Sequence, residues 1–154
     1  MEPAPGSQRL SRLIEHALSA ISSTTSAITR FIRAVRSSHA DLSAVTHELA
    51  DLRLVLELLR DDPSIPPILQ SCIPALLDAC GDSLVRVDIS LTHCADSTQW
   101  MSGPSREDIS TQQGKLTILR QALALALEVV TLYVISNVML AVIRWMICAN
   151  KSLT

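Results

Sequence analysis

Leu42, Val45, Leu49, Leu52, Leu56 and Leu59 recur at alternating steps of three and four residues. A stripe of that period lies on one side of an α-helix, and no β-strand can keep it on one face. This a/d pattern predicts a helix from about Ala40 to Arg60 that packs its stripe against other helices. Leu54, Val55 and Leu58 widen the apolar surface beyond a two-stranded coiled-coil seam, so a bundle is the better fit. Arg53 and Glu57 form an i,i+4 pair on the wet side. Ser37-Ser38-His39 precedes the segment and Asp61-Asp62-Pro63 ends it.

The same period governs the residues before it. Leu10, Ile14, Ala17, Ile21, Thr24, Ile28, Phe31 and Val35 fall on one face of a predicted helix over about 9–37. The run Ser22-Ser23-Thr24-Thr25-Ser26 weakens its middle, because these hydroxyls compete for local backbone groups. A link of three to four residues makes the first two helices an antiparallel hairpin. Arg30, Arg33 and Arg36 gather near the end of the first helix. Cations there suit the helix dipole. The alternative is a patch for anionic lipid or an acidic partner.

Pro66-Pro67 and Pro74 complicate the third segment. Interior proline costs a helix about 3 kcal/mol. The reading is therefore a short helical turn over 65–72, a break or kink, and a main helix over about 74–94. Leu76, Leu77, Cys80, Leu84, Val87 and Leu91 form its apolar face. Gly81 either weakens it or allows close packing. Residues 95–105 are turn-rich, with Gly103-Pro104 as punctuation and Trp100 expected to fold over the bundle end. Ser105-x-x-Asp108 and Ser110-x-x-Gln113 are candidate caps for the last helix.

That last helix, over about 108–149, has two different halves. Thr117, Arg120, Gln121, Ala124, Glu128 and Thr131 make a polar stripe within about a third of the circle, opposite Leu116, Leu119, Leu123, Ala126, Leu127 and Val130. After Thr131 the stripe stops. Beyond Gln121 the only charges are Glu128, Arg144 and Lys151. Much of the low overall charge, 18% of 154 residues, is explained there. The candidate membrane segment comprises Val129, Val130, Leu132, Val134, Ile135, Val138, Leu140, Val142 and Ile143, and extends to Ile147 if Arg144 snorkels. Three placements satisfy it: a buried or partner-covered bundle helix, a membrane span, or a surface that inserts on activation.

The expected architecture is all-α: a four- to five-helix bundle with a long, apolar C-terminal helix. Residues 1–8 are expected to be disordered, 9–149 to form the bundle domain and 150–154 a tail. Phe31, Val35, Leu42, Leu49, Leu52 and Leu56 are the candidate core and interaction residues.

No catalytic or cofactor motif occurs: no phosphate-binding or dinucleotide glycine pattern, no nucleophile elbow, no H-E-x-x-H. Cys72, Cys80, Cys94 and Cys148, with the scattered His16, His39, His47 and His93, lack metal-ligand spacing, and the cysteines read as buried thiols in a reducing compartment. Neither enzyme activity, cofactor, metal nor small-molecule substrate is expected. A net charge of -2 argues against nucleic-acid binding. The first twelve residues lack a signal-peptide apolar core, so an intracellular location, cytoplasmic or membrane-associated, is expected.

The order Phe31-Ile32-Arg33-Ala34-Val35-Arg36, then Leu42, then Glu48-Leu49-Ala50-Asp51-Leu52 with Val55-Leu56 resembles the N-terminal domains of fungal STAND (NLR-like) receptors, of the HeLo-like and azaphilone-cluster type. Ile73-Pro74-Ala75-Leu76-Leu77-Asp78-Ala79-Cys80 and Gly114-Lys115-Leu116 through Leu125 are similar to their later helices. The resemblance covers residues 8–130, and Glu48-Leu49-x-Asp51-Leu52 carries most of it. It implies a non-enzymatic signalling or effector bundle that works through a protein partner or self-association; some such domains act on membranes. The chain departs from that pattern in lacking a nucleotide-binding region and in its apolar C-terminal run.

Overall fold

The computed structural model describes residues 5–62 and 64–153, and these contain five α-helices and one 3-10 turn. They are α1 (Pro5–Ala34), the turn Arg36–Ser38, α2 (His39–Arg60), α3 (Pro67–Thr92), α4 (Ser97–Ser102) and α5 (Pro104–Ser152). No strand occurs among the described residues.

Side-chain pairs between helices fix their directions. Glu15 in the first half of α1 meets Arg60 at the end of α2, 3.1 Å apart, and the 3-10 turn joins the other ends of the two helices, so they are antiparallel. Gly6 lies beside Gln70, and Thr24 donates to Asp88 at 3.3 Å, so α1 and α3 run parallel. Asp41 pairs with Arg106, and Glu48 with Arg120, so α2 and α5 run parallel. Ser83–Gln112 and Ser90–Asp108 make α3 and α5 antiparallel. α1 packs on α2 and α3, and α5 packs on the same two. Around the bundle the order is α1, α2, α5, α3, and the connection from α2 to α3 crosses the diagonal.

The core is aliphatic. Val35, Leu42, Leu49, Leu52 and Leu56 are buried, as are Ile14, Ile21, Ile73 and Leu84. Phe31 is half-buried and packs against this core. Val35 leaves the helical conformation at φ -124°, ψ 84°, which ends α1 and turns the chain into α2. α1 itself runs unbroken through its hydroxyl cluster. Thr25 and Thr29 donate back to the carbonyls of Ile21 and Thr25, while Thr24 turns inward to Asp88.

Several expectations need correction. α3 passes through Pro74 without a break. Ile73 and Leu77, on either side of it, are buried, and their packing offsets the one backbone bond that the proline removes. The caps also fall elsewhere. α5 begins at Pro104 with Gly103 as its N-cap and no side-chain cap bond. The reciprocal capping pair belongs to α4: Asp96 accepts from the Gln99 amide at 2.8 Å, and the Gln99 side chain accepts from the Ala95 amide at 2.7 Å. Of the N-terminal residues expected to be disordered, Pro5–Gln8 are helical, and 1–4 lie outside the described residues. So do Pro63, expected to end the second helix, and Thr154. Within the expected tail, α5 continues to Ser152.

The two glycines with structural consequences behave oppositely. A Cβ on Gly103 would sit 2.2 Å from the Gln99 carbonyl oxygen, where only glycine fits between α4 and α5. A Cβ on Gly81 would meet nothing within 4 Å, so close packing is not its purpose. Gly81→Ala should stabilise the fold by about 0.5–1 kcal/mol through helix propensity. Gly103→Ala should destabilise it by about 1–3 kcal/mol through enforced backbone displacement. Paired urea titrations in a mild detergent would check the opposite signs.

Candidate functional site

The chemistry of interest lies where α5 leaves the bundle. Ile109, Leu116, Leu123, Ala126 and Val130 are buried against α2 and α3. Beyond Val130 every residue from Thr131 to Cys148 is exposed except the half-buried Val134. Leu132 is 63% exposed, and Ile135, Val138, Leu140, Val142 and Ile143 are exposed too. The most apolar 18-residue window of α5 has mean hydropathy 2.1 and is only 11% buried. α3 is also long and apolar enough to cross a membrane, with mean hydropathy 1.3, but it packs on both α1 and α5.

The bundle therefore stops near Val130 rather than 149, and this chain does not bury its own C-terminal run. The predicted membrane segment divides accordingly. Val130 belongs to the core. Val129, 39% exposed, stands at the margin, and the remaining predicted residues project past the bundle end. The physical reason is length. α2 ends at Arg60 and α3 begins at Pro67, both level with this part of α5, so no neighbour remains to cover its later turns.

This placement also fixes where the charges fall. Glu128 is exposed at the bundle margin, not midway along the projecting helix. Arg144 and the 71% exposed Trp145 stand near the other end. Val129–Ile147 covers about 28 Å at ~1.5 Å per residue, close to the ~30 Å of a hydrocarbon layer.

At the opposite end of the bundle, the close of α1, the 3-10 turn, α4 and the start of α5 come together. Trp100 is fully buried there, and its ring centroid lies 5.5 Å from that of Phe31. The expectation for Trp100 agrees with this position, although it stands on a short helix rather than a loop. Arg30, Arg33 and Arg36 are exposed at that same end, and no ion pair holds them among the described residues. About 40 Å of α5 at ~1.5 Å per residue separates them from the projecting segment. A bilayer crossed by the projecting segment along the axis of α5 would lie out of the arginines' reach.

Between these ends the bundle carries polar contacts. An open groove of about 410 Å³ between α3 and α5 is lined by Asp82, Ser83, Arg86, Gln112 and Lys115. The buried Ser83 donates to the Gln112 carbonyl at 2.9 Å, which ties the two helices. Among the described residues no three His, Cys, Asp or Glu side chains gather as metal ligands. The cysteines divide evenly: Cys80 and Cys94 are buried, whereas Cys72 and Cys148 are exposed, contrary to the expectation of four buried thiols. Burial pushes the Cys80 thiol up to about 12, so it stays protonated at neutral pH.

Asp88 is the one carboxylate with a buried oxygen lacking a partner among the described residues; its other oxygen accepts from Thr24. Burial raises its pKa, opposed by the Thr24 hydrogen bond. The folded chain then holds this proton more tightly than the unfolded chain does. Stability should fall as pH rises from the ordinary aspartate range through the folded pKa, and stay lower at neutral pH. Asp88→Asn should remove that fall and melt above the wild type at pH 7. Thermal melts from pH 3 to pH 7 would check it.

Comparison with protein families, characterised proteins and solved structures gives no match for this chain.

Proposed function

We propose that the chain is a membrane-anchored helical bundle, with the end of α5 spanning the bilayer and the four-helix body in water. One observation carries this reading: α5 continues without a break past the last core contact as a helix exposed on all sides and apolar on most of them. In water that surface has a large hydrophobic cost, whereas hydrocarbon solvates it and leaves its backbone bonds satisfied within the helix. The span predicted from sequence, Val129 to Ile147, has the required length.

The body is then a non-enzymatic signalling or effector module that acts through protein contacts. Its support is the resemblance of residues 8–130 to the fungal STAND receptor N-terminal domains. The exposed Arg30, Arg33 and Arg36 at the end remote from the bilayer suit an acidic protein partner rather than lipid. A cell-death-type protein that inserts on activation uses the same helix and differs in timing alone.

Fractionation of the full chain tests the anchor. The expected result is sedimentation with membranes that resists alkaline carbonate and yields to detergent. A chain wholly soluble without detergent, and inert towards phosphatidylcholine vesicles, would overturn the proposal.

A further inference from the structure

The groove between α3 and α5 changes character along its length. Its middle is lined by Asp82, Arg86 and Lys115. Towards the projecting helix the charges stop. Ala79, Ala75, Cys72 and Ile68 continue the α3 wall at steps of four, three and four residues. Ile118, Ala122, Leu125 and Val129 continue the α5 wall at the same steps. Between Asp62 and Asp78 the sequence has no charged residue at all. Ile68 is 71% exposed, and Leu125 and Cys72 are exposed too. The most apolar window of α3 has mean hydropathy 1.3 yet is only 28% buried. The bundle thus leaves an uncharged edge open on its α3–α5 side.

The register of the two helices sets the height of that edge. Ser83 bonds Gln112, and Ser90 bonds Asp108. Counting back along α3 from each serine to Ile68, and equally far forward along α5, reaches Leu127 from the first pair and Val130 from the second. Ile68 therefore stands level with Val129, where the proposed span begins. Ile68 to Ala75 rises about 10 Å at ~1.5 Å per residue, which matches the ~5–10 Å to which interfacial apolar faces sink.

The other side of the same end is charged. Arg60 pairs there with Asp61 and Glu15. Glu128 belongs to that side as well: it lies ~80° around α5 from Arg120, which reaches Glu48 on α2, whereas Val129 lies ~180° from it. We infer that the α3–α5 edge docks into the interfacial layer of the bilayer that α5 spans, with Ile68, Cys72 and Leu125 among the headgroups and first acyl carbons. This inference rests on the membrane-anchored reading. Lipid is the occupant because the unbroken α5 carries the bilayer boundary to this level, and because the edge is a direct continuation of the surface already in hydrocarbon. The body then leans towards α3 and α5, which lifts α1 and its arginines away from the membrane.

Cys72 supplies a native reporter on the docked edge. The full chain carrying Cys148→Ser, whose remaining Cys80 and Cys94 are buried, would be labelled at Cys72 with nitrobenzoxadiazole and reconstituted in phosphatidylcholine vesicles. A water-exposed reference is the same label on Ser97→Cys, at the start of α4, with Cys72→Ser and Cys148→Ser. Iodide should quench the Cys72 label several-fold less than the reference. A lipid nitroxide near the glycerol backbone should quench the Cys72 label more than one near the acyl-chain end. Ile68→Asp should restore iodide access at Cys72, and Ile68→Leu should leave it unchanged; the exposure of Ile68 keeps both changes out of the core. In a chain that resists alkaline extraction, a Cys72 label as open to iodide as the reference overturns the docking and leaves the anchor standing. Shielding from iodide without nitroxide quenching does the same, since it shows a protein surface over this edge, and stronger quenching by the deep nitroxide overturns the interfacial depth. Release by alkaline extraction overturns both readings.

Discussion

Val134→Glu combined with Val138→Glu should release the protein from membranes while leaving the bundle folded. A charged side chain near the middle of a span costs about 2.5–3.5 kcal/mol on insertion scales. Two together exceed about 5 kcal/mol, a shift of more than about a thousandfold in partition. Sequence alone makes this experiment ambiguous, because a bundle that buried Val134 and Val138 would unfold on the same changes. The structure removes the ambiguity. Val138 is 58% exposed and Val134 half-buried, and both lie beyond the last core residue. Helical circular dichroism and the melting midpoint in detergent should therefore match the wild type, while the protein moves to the supernatant. Loss of the cooperative melt would show that the projecting helix is part of the fold.

The second large effect lies at the far end. Trp100→Ala should destabilise the bundle by about 3–5 kcal/mol, the range for deleting a buried aromatic side chain. Trp100 closes the space between Phe31, the 3-10 turn and the start of α5. Its indole nitrogen is buried without a partner among the described residues, so the ring's shape is what matters there. Trp100→Phe should accordingly cost distinctly less than Trp100→Ala, since it drops an unsatisfied donor and keeps a ring against Phe31. Equilibrium urea unfolding in detergent would separate the two variants. Membrane association should not change in either, which distinguishes this site from the first.

The parts of the fold legible in the sequence are those where local pattern and burial agree. The six-residue stripe of α2 is buried throughout, because a three-four period leaves a helix only one way to hide its leucines. The polar stripe ending at Thr131 is likewise legible, since Leu116, Leu123, Ala126 and Val130 have to face away from it. Pattern and structure part where local chemistry and packing disagree. Pro74 carries a local penalty that the burial of Ile73 and Leu77 outweighs. The capping motifs at Ser105 and Ser110 lose to Gly103-Pro104, where a close approach to the Gln99 carbonyl sets the start of α5.

The sequence by itself determined that this protein is helical, aliphatic in its core and predominantly apolar after Thr131. Those properties follow from residue spacing and from where charge is missing, and spacing survives without knowledge of the neighbours. Only the tertiary structure decided what becomes of the apolar run. Burial depends on whether other helices extend far enough to cover it. α2 ends and α3 begins level with Val130, so the remaining turns of α5 stand clear of the bundle.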